Sequence, residues 1–445
     1  MSLEFLVPEL LSLILHSIDS PRSLHNLISA SPACLRVFNQ TSQLVLSTVI
    51  QNSVPAINRR HILAFHQAPT PATTTGVSSF LDKYFDESSA FDFPTSTVEL
   101  IKLYKVYNRL SFLIDGYLNG IKKLDFDDSV ITPSPSELTR LQRAFLRYGL
   151  YSRVFPADDT LPWEDPSPNH RFSALKQFDL FVSRLKPWEC EEIVCVEQYF
   201  STLIGNFVDE MEEQLAGTVK SAVVFKPPIW EDDAQADLKD VGAEENLWRF
   251  DALDLTSLAM FSFDNRYRIH DNITYMASLG LDFMYDLIRS DKDEHLRLIR
   301  SNSPNFRHFL EEALTCSPGL TMQECDEESA WDDDPSYNNL AWLQLGLGSQ
   351  SWKYLRIDRW SCRMSPLREL GYVFWDSARL KSTAVQERLA IASSVSSDKA
   401  TARGIRRDKE TVEERFNGAM IPRRELTRLE SQFGYIRRPM EEELE

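Results

Sequence analysis

The residues best suited to metal binding or nucleophilic chemistry are few, and they are poorly spaced for either. His61 and His66 stand five apart, which puts them on different faces of a helix, and no His-Glu-x-x-His occurs among the eight histidines. Cys190 and Cys195 share that spacing, and Cys316 and Cys325 lack a close-paired partner set. A tetrahedral metal site needs its ligands in tighter pairs. A nucleophile elbow needs Gly-x-Ser-x-Gly, and the stretch Gly346-Leu347-Gly348-Ser349-Gln350 breaks that pattern at its last position. No Walker-type or dinucleotide glycine fingerprint is present. Asp232-Asp233 and Asp332-Asp333-Asp334 lack the interleaved glycine and terminal glutamate of a calcium loop, so they read as solvated loops. In a chain with 66 acidic residues, the mere presence of carboxylate pairs carries no weight. No catalytic residue, metal or cofactor is expected from these patterns.

Composition narrows the partners. A net charge of −18 disfavours nonspecific attraction to nucleic acid or to anionic membrane. The stretch from Arg403 to Arg438 is locally basic, but Glu413, Glu414, Glu425 and Glu430 interrupt it, which fits a solvated helix face. Six scattered cysteines do not make a secreted disulfide scaffold, so a reducing compartment, cytoplasmic or nuclear, is expected. The first apolar run is broken by Glu4 and Glu9 and has no basic region before it, unlike a signal peptide. No apolar stretch approaches the length of a membrane span. Without secretion, the glycosylation patterns at Asn39-Gln40-Thr41 and Asn272-Ile273-Thr274 have no use. Length alone suggests about two or three domains. Only 15 glycines in 445 residues points away from β-rich folds and towards helix.

Helix punctuation supports that lean. Pro8-Glu9 opens an apolar run in which Leu6, Leu10, Leu13, Ile14 and Ile18 are expected on one side. Ser20-Pro21 and Ser31-Pro32 each pair a capping serine with a proline at the first helical position. Two further helices are expected over Leu44 to Ile50 and Ile57 to Phe65, followed by a polar, proline-bearing connection from Gln67 to Thr75. The body shows helical periodicity from Val98 onward, then over Ser136 to Val154, Phe172 to Leu185 and Trp188 to Leu215, where Glu189, Glu191 and Glu192 sit in a first turn that favours anions. Helices are also expected over Leu247 to Phe261, Asn265 to Ile288, Asp291 to Ile299 and Asn305 to Thr315, with exposed acidic loops near 231–245 and 324–334. The aromatic stretch Leu367 to Leu380 reads as a docking helix or a core anchor. The expected organisation is all-α, with a small three-helix module at 1–52, a helix and polar linker at 53–96, a larger irregular multi-helix body at 97–392 and a charged tail at 393–445. No repeat of fixed period is visible.

The run Leu6-Val7-Pro8-Glu9-Leu10-Leu11-Ser12-Leu13-Ile14-Leu15-His16-Ser17-Ile18-Asp19-Ser20-Pro21, followed by Leu24, Leu27, Ile28 and Ala30-Ser31-Pro32, resembles the F-box-like N-terminus of many filamentous-fungal proteins. Leu367 to Asp376 also resembles a segment of such chains. The family pattern has Pro directly after its leading Leu, where this chain has Val7, and a basic-basic-Trp ending where this chain has Cys34-Leu35-Arg36. In that family the module inserts into the small adaptor subunit of an SCF-type cullin–RING ubiquitin ligase, and the rest of the chain holds a protein substrate. The resemblance implies a substrate-recognition adaptor without catalysis of its own. By matching position it implies adaptor contacts from Leu6, Pro8, Glu9, Leu10, Ile14, Leu15 and Ile18 in the first helix, and from Leu24, Leu27 and Ile28 in the second. The other expectation for the same residues is an all-helical interaction or scaffold protein in which the module caps the body.

Overall fold

The computed structural model describes residues 3–70, 72–122, 132–156, 172–222, 247–250, 273–302, 310–315, 365–394 and 419–422, with positions 424 and 428. The acidic stretches at 231–245 and 324–334, the Gly346 motif, Cys316, Cys325, Cys362 and most of the basic stretch lie outside the described residues.

The expected serine caps form. A 3₁₀ turn over Leu3–Phe5 leads into α1 (Pro8–Ser17), and then α2 (Pro21–Ala30) and α3 (Pro32–Ser53) follow. The Ser20 hydroxyl accepts from the Ser23 amide at 3.4 Å, and the Ser31 hydroxyl accepts from the Cys34 amide at 3.2 Å. The two helices expected at 31–38 and 44–50 are halves of α3. They meet at a kink where Thr41 leaves helical geometry (φ −130°, ψ 25°) and its hydroxyl donates back to the Val37 carbonyl.

Next come α4 (Ala56–Gln67), α5 (Thr74–Phe85), α6 (Thr97–Lys122), α7 (Pro135–Val154), α8 (Ala174–Leu180) and α9 (Pro187–Ala222). Ser134 and Glu137 close a capping box on α7. The helix expected over Phe172 to Leu185 breaks at Phe181 (φ −131°, ψ −60°) into α8 and a 3₁₀ turn. Residues 273–278 are helical, and a positive φ of 85° at Gly280 separates them from the continuation α10 (Gly280–Arg289). After these come α11 (Lys292–Asn302) and α12 (Leu310–Thr315).

Two expectations are corrected. Leu247–Phe250 is not helical: it is strand β1, paired antiparallel with β2 (Ala419–Pro422), with Leu247 opposite Pro422 and Phe250 opposite Ala419. A distant partner for the backbone overrides the local helical reading of this Trp- and Phe-bearing segment. The stretch Leu367 to Leu380, expected as a docking helix or a core anchor, is not one helix but three short pieces, α13 (Ser365–Glu369), a 3₁₀ turn (Tyr372–Phe374) and α14 (Ser377–Leu380), with α15 (Thr383–Ser394) following. Gly371, at φ 64°, turns the chain between the first two. Its aromatic residues do anchor the core, with Tyr372, Val373, Phe374 and Trp375 all buried.

The architecture is therefore all-α with one short ladder among the described residues. Helices α1 and α2 lie on α3, α3 lies on α6, α4 on α6 and α7, α7 on α9, and the 365–380 segment closes on α7 and α9. Edge-to-face rings tie the centre together: Tyr117 of α6 meets Phe145 of α7 at 5.9 Å and Phe374 at 5.8 Å, and Phe145 meets Phe200 of α9 at 5.7 Å.

A Cβ placed on Gly371 would lie 2.7 Å from the Tyr117 hydroxyl oxygen, whereas one on Gly217 in α9 meets nothing within 4 Å. Gly371→Ala should lower the unfolding free energy by about 2 kcal/mol or more. Gly217→Ala should raise it by about 0.5–1 kcal/mol. Urea denaturation of the two variants is expected to show opposite signs, and a shared sign would contradict this packing.

Candidate interaction surface

α1 is apolar on nearly every side, so only part of it can face the core. Leu11 and Leu15, one turn apart, are 2% and 0% exposed and pack towards α3. The outward row is Phe5 at 85% exposed, Val7 at 53%, Leu10 at 47% and Leu13 at 65%. Leu10 and Leu13, three apart on α1, are neighbours on its surface, and Val7 is the extended residue immediately before the helix. The stripe expected from the sequence is thus corrected: the buried edge runs through Leu11 and Leu15, while Leu10 and Leu13 face out.

The rest of the module is tied down by polar contacts. The Ser31 hydroxyl donates to the Glu4 carboxylate at 2.6 Å, fixing the first turn to the start of α3. The Asn52 amide donates to the carbonyls of His16 and Ile18 at 2.8 and 3.0 Å, fixing the end of α1 to the end of α3. The hydroxyls of Tyr104 and Tyr107 on α6 donate to the carbonyls of Pro21 and Ser53 at 2.6 and 3.1 Å. Among the residues singled out for adaptor contact, Pro8, Glu9 and Leu10 are exposed. Ile14 is half-buried, and Leu6, Ile18, Leu27 and Ile28 are half-buried against the core. Leu15 and Leu24 are sealed within the chain's own core at 0% and 2% exposed, leaving no surface for a partner. Phe5, Val7 and Leu13 belong to the outward row and were not among the contacts inferred by resemblance. Their signal in the sequence was the excess of apolar residues over what one helix face can bury.

The second notable cluster is buried and ionic. Arg140, Arg143 and Arg147 follow at helical spacing on α7, and all are buried. Arg143 grips Glu192 with two bonds, 3.1 Å from Nε and 2.5 Å from Nη2. Arg368 does the same with Glu191 at 2.8 and 3.1 Å, and Arg379 with Glu137 at 2.8 and 2.7 Å. Arg147 meets Glu189 at 2.6 Å, and Arg140 meets Asp376 at 2.5 Å. The first-turn glutamates of α9 thus face buried arginines rather than water. Although burial opposes it, the charges of Arg147 and Arg143 hold the Glu189 carboxyl below its ordinary range. Burial pushes the Cys190 and Cys195 thiols up, and both are free, as is Cys34. The charge-paired arrangement gives these groups a cross-linking role between helices.

His61 and His66 also have local partners. The His61 ring is buried, with Nδ1 2.7 Å from the Tyr84 hydroxyl. Burial first, and then the charges of Arg147, Arg143 and Arg60, hold its pKa well below the usual value. His66 lies 3.0 Å from Glu99. Among the described residues no group of three or more His, Cys, Asp or Glu is placed to hold a metal ion, and no helix is long and apolar enough to cross a membrane. Neither protein-family models, nor curated proteins, nor solved structures give a match to this chain.

Two predictions follow from the buried charges. Arg143→Leu strands Glu192 and should cost about 3–5 kcal/mol, whereas Arg143→Leu combined with Glu192→Leu should cost less than the single change. Denaturant titration decides it, and a double variant less stable than the single would contradict the pairing. His61 stays neutral in the fold while its unfolded counterpart takes a proton near pH 6.5, so its contribution is complete above that pH and falls away below it. The loss from this group should grow as the pH falls from 6.5 towards 5.5. His61→Gln should flatten the stability profile between pH 7.5 and 5.5, and an unchanged slope would remove His61 from the account.

Proposed function

We propose that the chain is a substrate-recognition adaptor of an SCF-type cullin–RING ubiquitin ligase, docked on the ligase's small adaptor subunit through its N-terminal helices and holding a protein substrate elsewhere on the helical body. The observation that carries the reading is the outward set Phe5, Val7, Leu10 and Leu13, on a serine-capped module whose sequence resembles the F-box-like pattern. Helix-in-groove binding draws most of its energy from a few such anchors. Leu10 and Leu13 are the central anchors in this reading, with Leu6, Pro8, Glu9 and Ile14 beside them. Ile18, Leu27 and Ile28 lie at the margin, and Leu15 and Leu24 hold the module to its own body.

A second reading, a helical interaction or scaffold protein without a ubiquitin role, is favoured by the way α2 and α3 rest on α6 through Tyr104 and Tyr107. The two readings separate on one binding experiment. Because Leu10 and Leu13 are exposed, Leu10→Asp with Leu13→Asp should leave the melting temperature within a few degrees of the parent. The same pair should weaken capture of the purified small ligase adaptor on the order of a hundredfold. Absence of capture by the parent chain, or equal capture by both, would leave the scaffold reading in place.

A further inference from the structure

α6 turns Leu100, Leu103, Val106, Leu110 and Leu113 into the core, yet its outer side is not uniformly polar. Val98 is 64% exposed, Ile101 42% and Phe112 36%, and Lys105 and Arg109 stand between them, so the five follow at steps of three, four, four and three. Such steps keep side chains in one stripe on a helix surface. At a rise of 1.5 Å per residue the stripe is about 21 Å long, or about four turns. Helix α10 widens its far end. The Tyr285 ring meets Phe112 edge-to-face at 5.2 Å, and the guanidinium groups of Arg109 and Arg289 lie 5.4 and 5.3 Å from its centroid.

The charge along this stripe has the opposite sign to that of the chain. Arg109 and Arg153 share the carboxylate of Asp282, the latter at 2.9 Å, so that trio keeps one net positive charge. Lys102 pairs with Glu99 at 2.8 Å. Lys105 and Arg289 are exposed, as is Asp286, one turn beyond Asp282. At the other border Asp115 lies near Arg22. The stripe and its margins thus hold a surplus of cations in a protein whose net charge is −18. Exposed apolar side chains in helical register, bordered by cations, complement a helix whose apolar side is edged by carboxylates. An anionic membrane would offer the same sign of charge, but the net charge of the whole chain opposes that approach, so an acidic helix is the better match.

We propose that the α6–α10 face docks an acidic amphipathic helix of a partner protein, whose apolar side rests on Val98, Ile101 and Phe112 and whose carboxylates meet Lys105, Arg109 and Arg289. The docking uses none of Phe5, Val7, Leu10 and Leu13, so it stands under either reading of the N-terminal module. Fluorescence anisotropy of a labelled synthetic helix, about four turns long with leucines on one side edged by glutamates, tests it on the full chain at pH 7.5. Binding should saturate and should weaken several-fold as added salt rises from about 50 mM to about 500 mM. Ile101→Asp with Lys105→Glu, both at exposed positions, should weaken it at least tenfold. Arg289→Glu should weaken it measurably and carries the test if that pair does not fold, while Leu10→Asp with Leu13→Asp should leave it unchanged. A counterpart peptide with lysines in place of the glutamates should bind at least tenfold more weakly than the acidic one. Absence of saturable binding to the parent chain overturns the proposal, as does equal binding of the two peptides or an affinity that every folded α6 or α10 variant leaves unchanged. Capture of the chain by phosphatidylserine–phosphatidylcholine vesicles, lost in the same variants while peptide binding is not, would assign the face to a membrane and overturn it as well.

Discussion

Buried arginines on α7 are the constraint around which the body is assembled. An arginine is almost never fully buried unless it is paired, because its desolvation is repaid only by a carboxylate in good geometry. Arg143 and Arg147 find theirs in the first turn of α9, Glu192 and Glu189. Arg140 finds Asp376, more than two hundred residues further along the chain. Glu137, at the start of the same helix, takes Arg379. The placing of α9 and of the 365–380 segment is thus dictated by charge matching, and the aromatic contacts among Tyr117, Phe145, Phe200 and Phe374 fill the space that the pairs enclose.

The N-terminal module lies outside that network and is held differently. It attaches through Leu11, Leu15 and Leu24, through the tyrosine hydroxyls of α6 and through the Asn52 bridge to the end of α1. Burying Leu11 and Leu15 contributes about 1.5–3 kcal/mol each. Leu10 and Leu13 forgo a comparable gain, and a partner that covered them would recover it. Single exposed leucines are ordinary, but four large exposed apolar side chains within nine residues, Phe5 in the 3₁₀ turn, Val7 just before α1 and Leu10 and Leu13 on it, are a feature that folding alone does not need.

Much of the helical order was legible in the residues. Ser20-Pro21 and Ser31-Pro32 marked helix starts because the serine and proline act locally, within one turn, and the structure begins α2 and α3 there. Which face of α1 turns inward was not legible: spacing put Leu6, Leu10, Leu13, Ile14 and Ile18 on one side, but Leu11 and Leu15 beside that stripe are equally apolar, and it is they that the core takes. The acid and arginine pairs were hidden for another reason. Charges at helical spacing usually mean a solvated face, and nothing nearby in the sequence says that Glu191 will meet Arg368. The strand at Leu247–Phe250 depends in the same way on a partner at Ala419–Pro422. The turn at Gly371 hangs on one residue within an otherwise helix-like aromatic run.

The functional account rests on the division of α1 into a sealed edge and an open one. Thiol labelling of the folded full chain, with cysteine placed singly at positions 10, 13 and 15 and read peptide by peptide by mass spectrometry, measures that division directly. Cysteines replacing Leu10 and Leu13 should react at rates typical of exposed thiols. The one replacing Leu15 should react on the order of a hundredfold more slowly, limited by opening of the fold. Equal rates at all three positions, or protection at 10 and 13, would contradict the account.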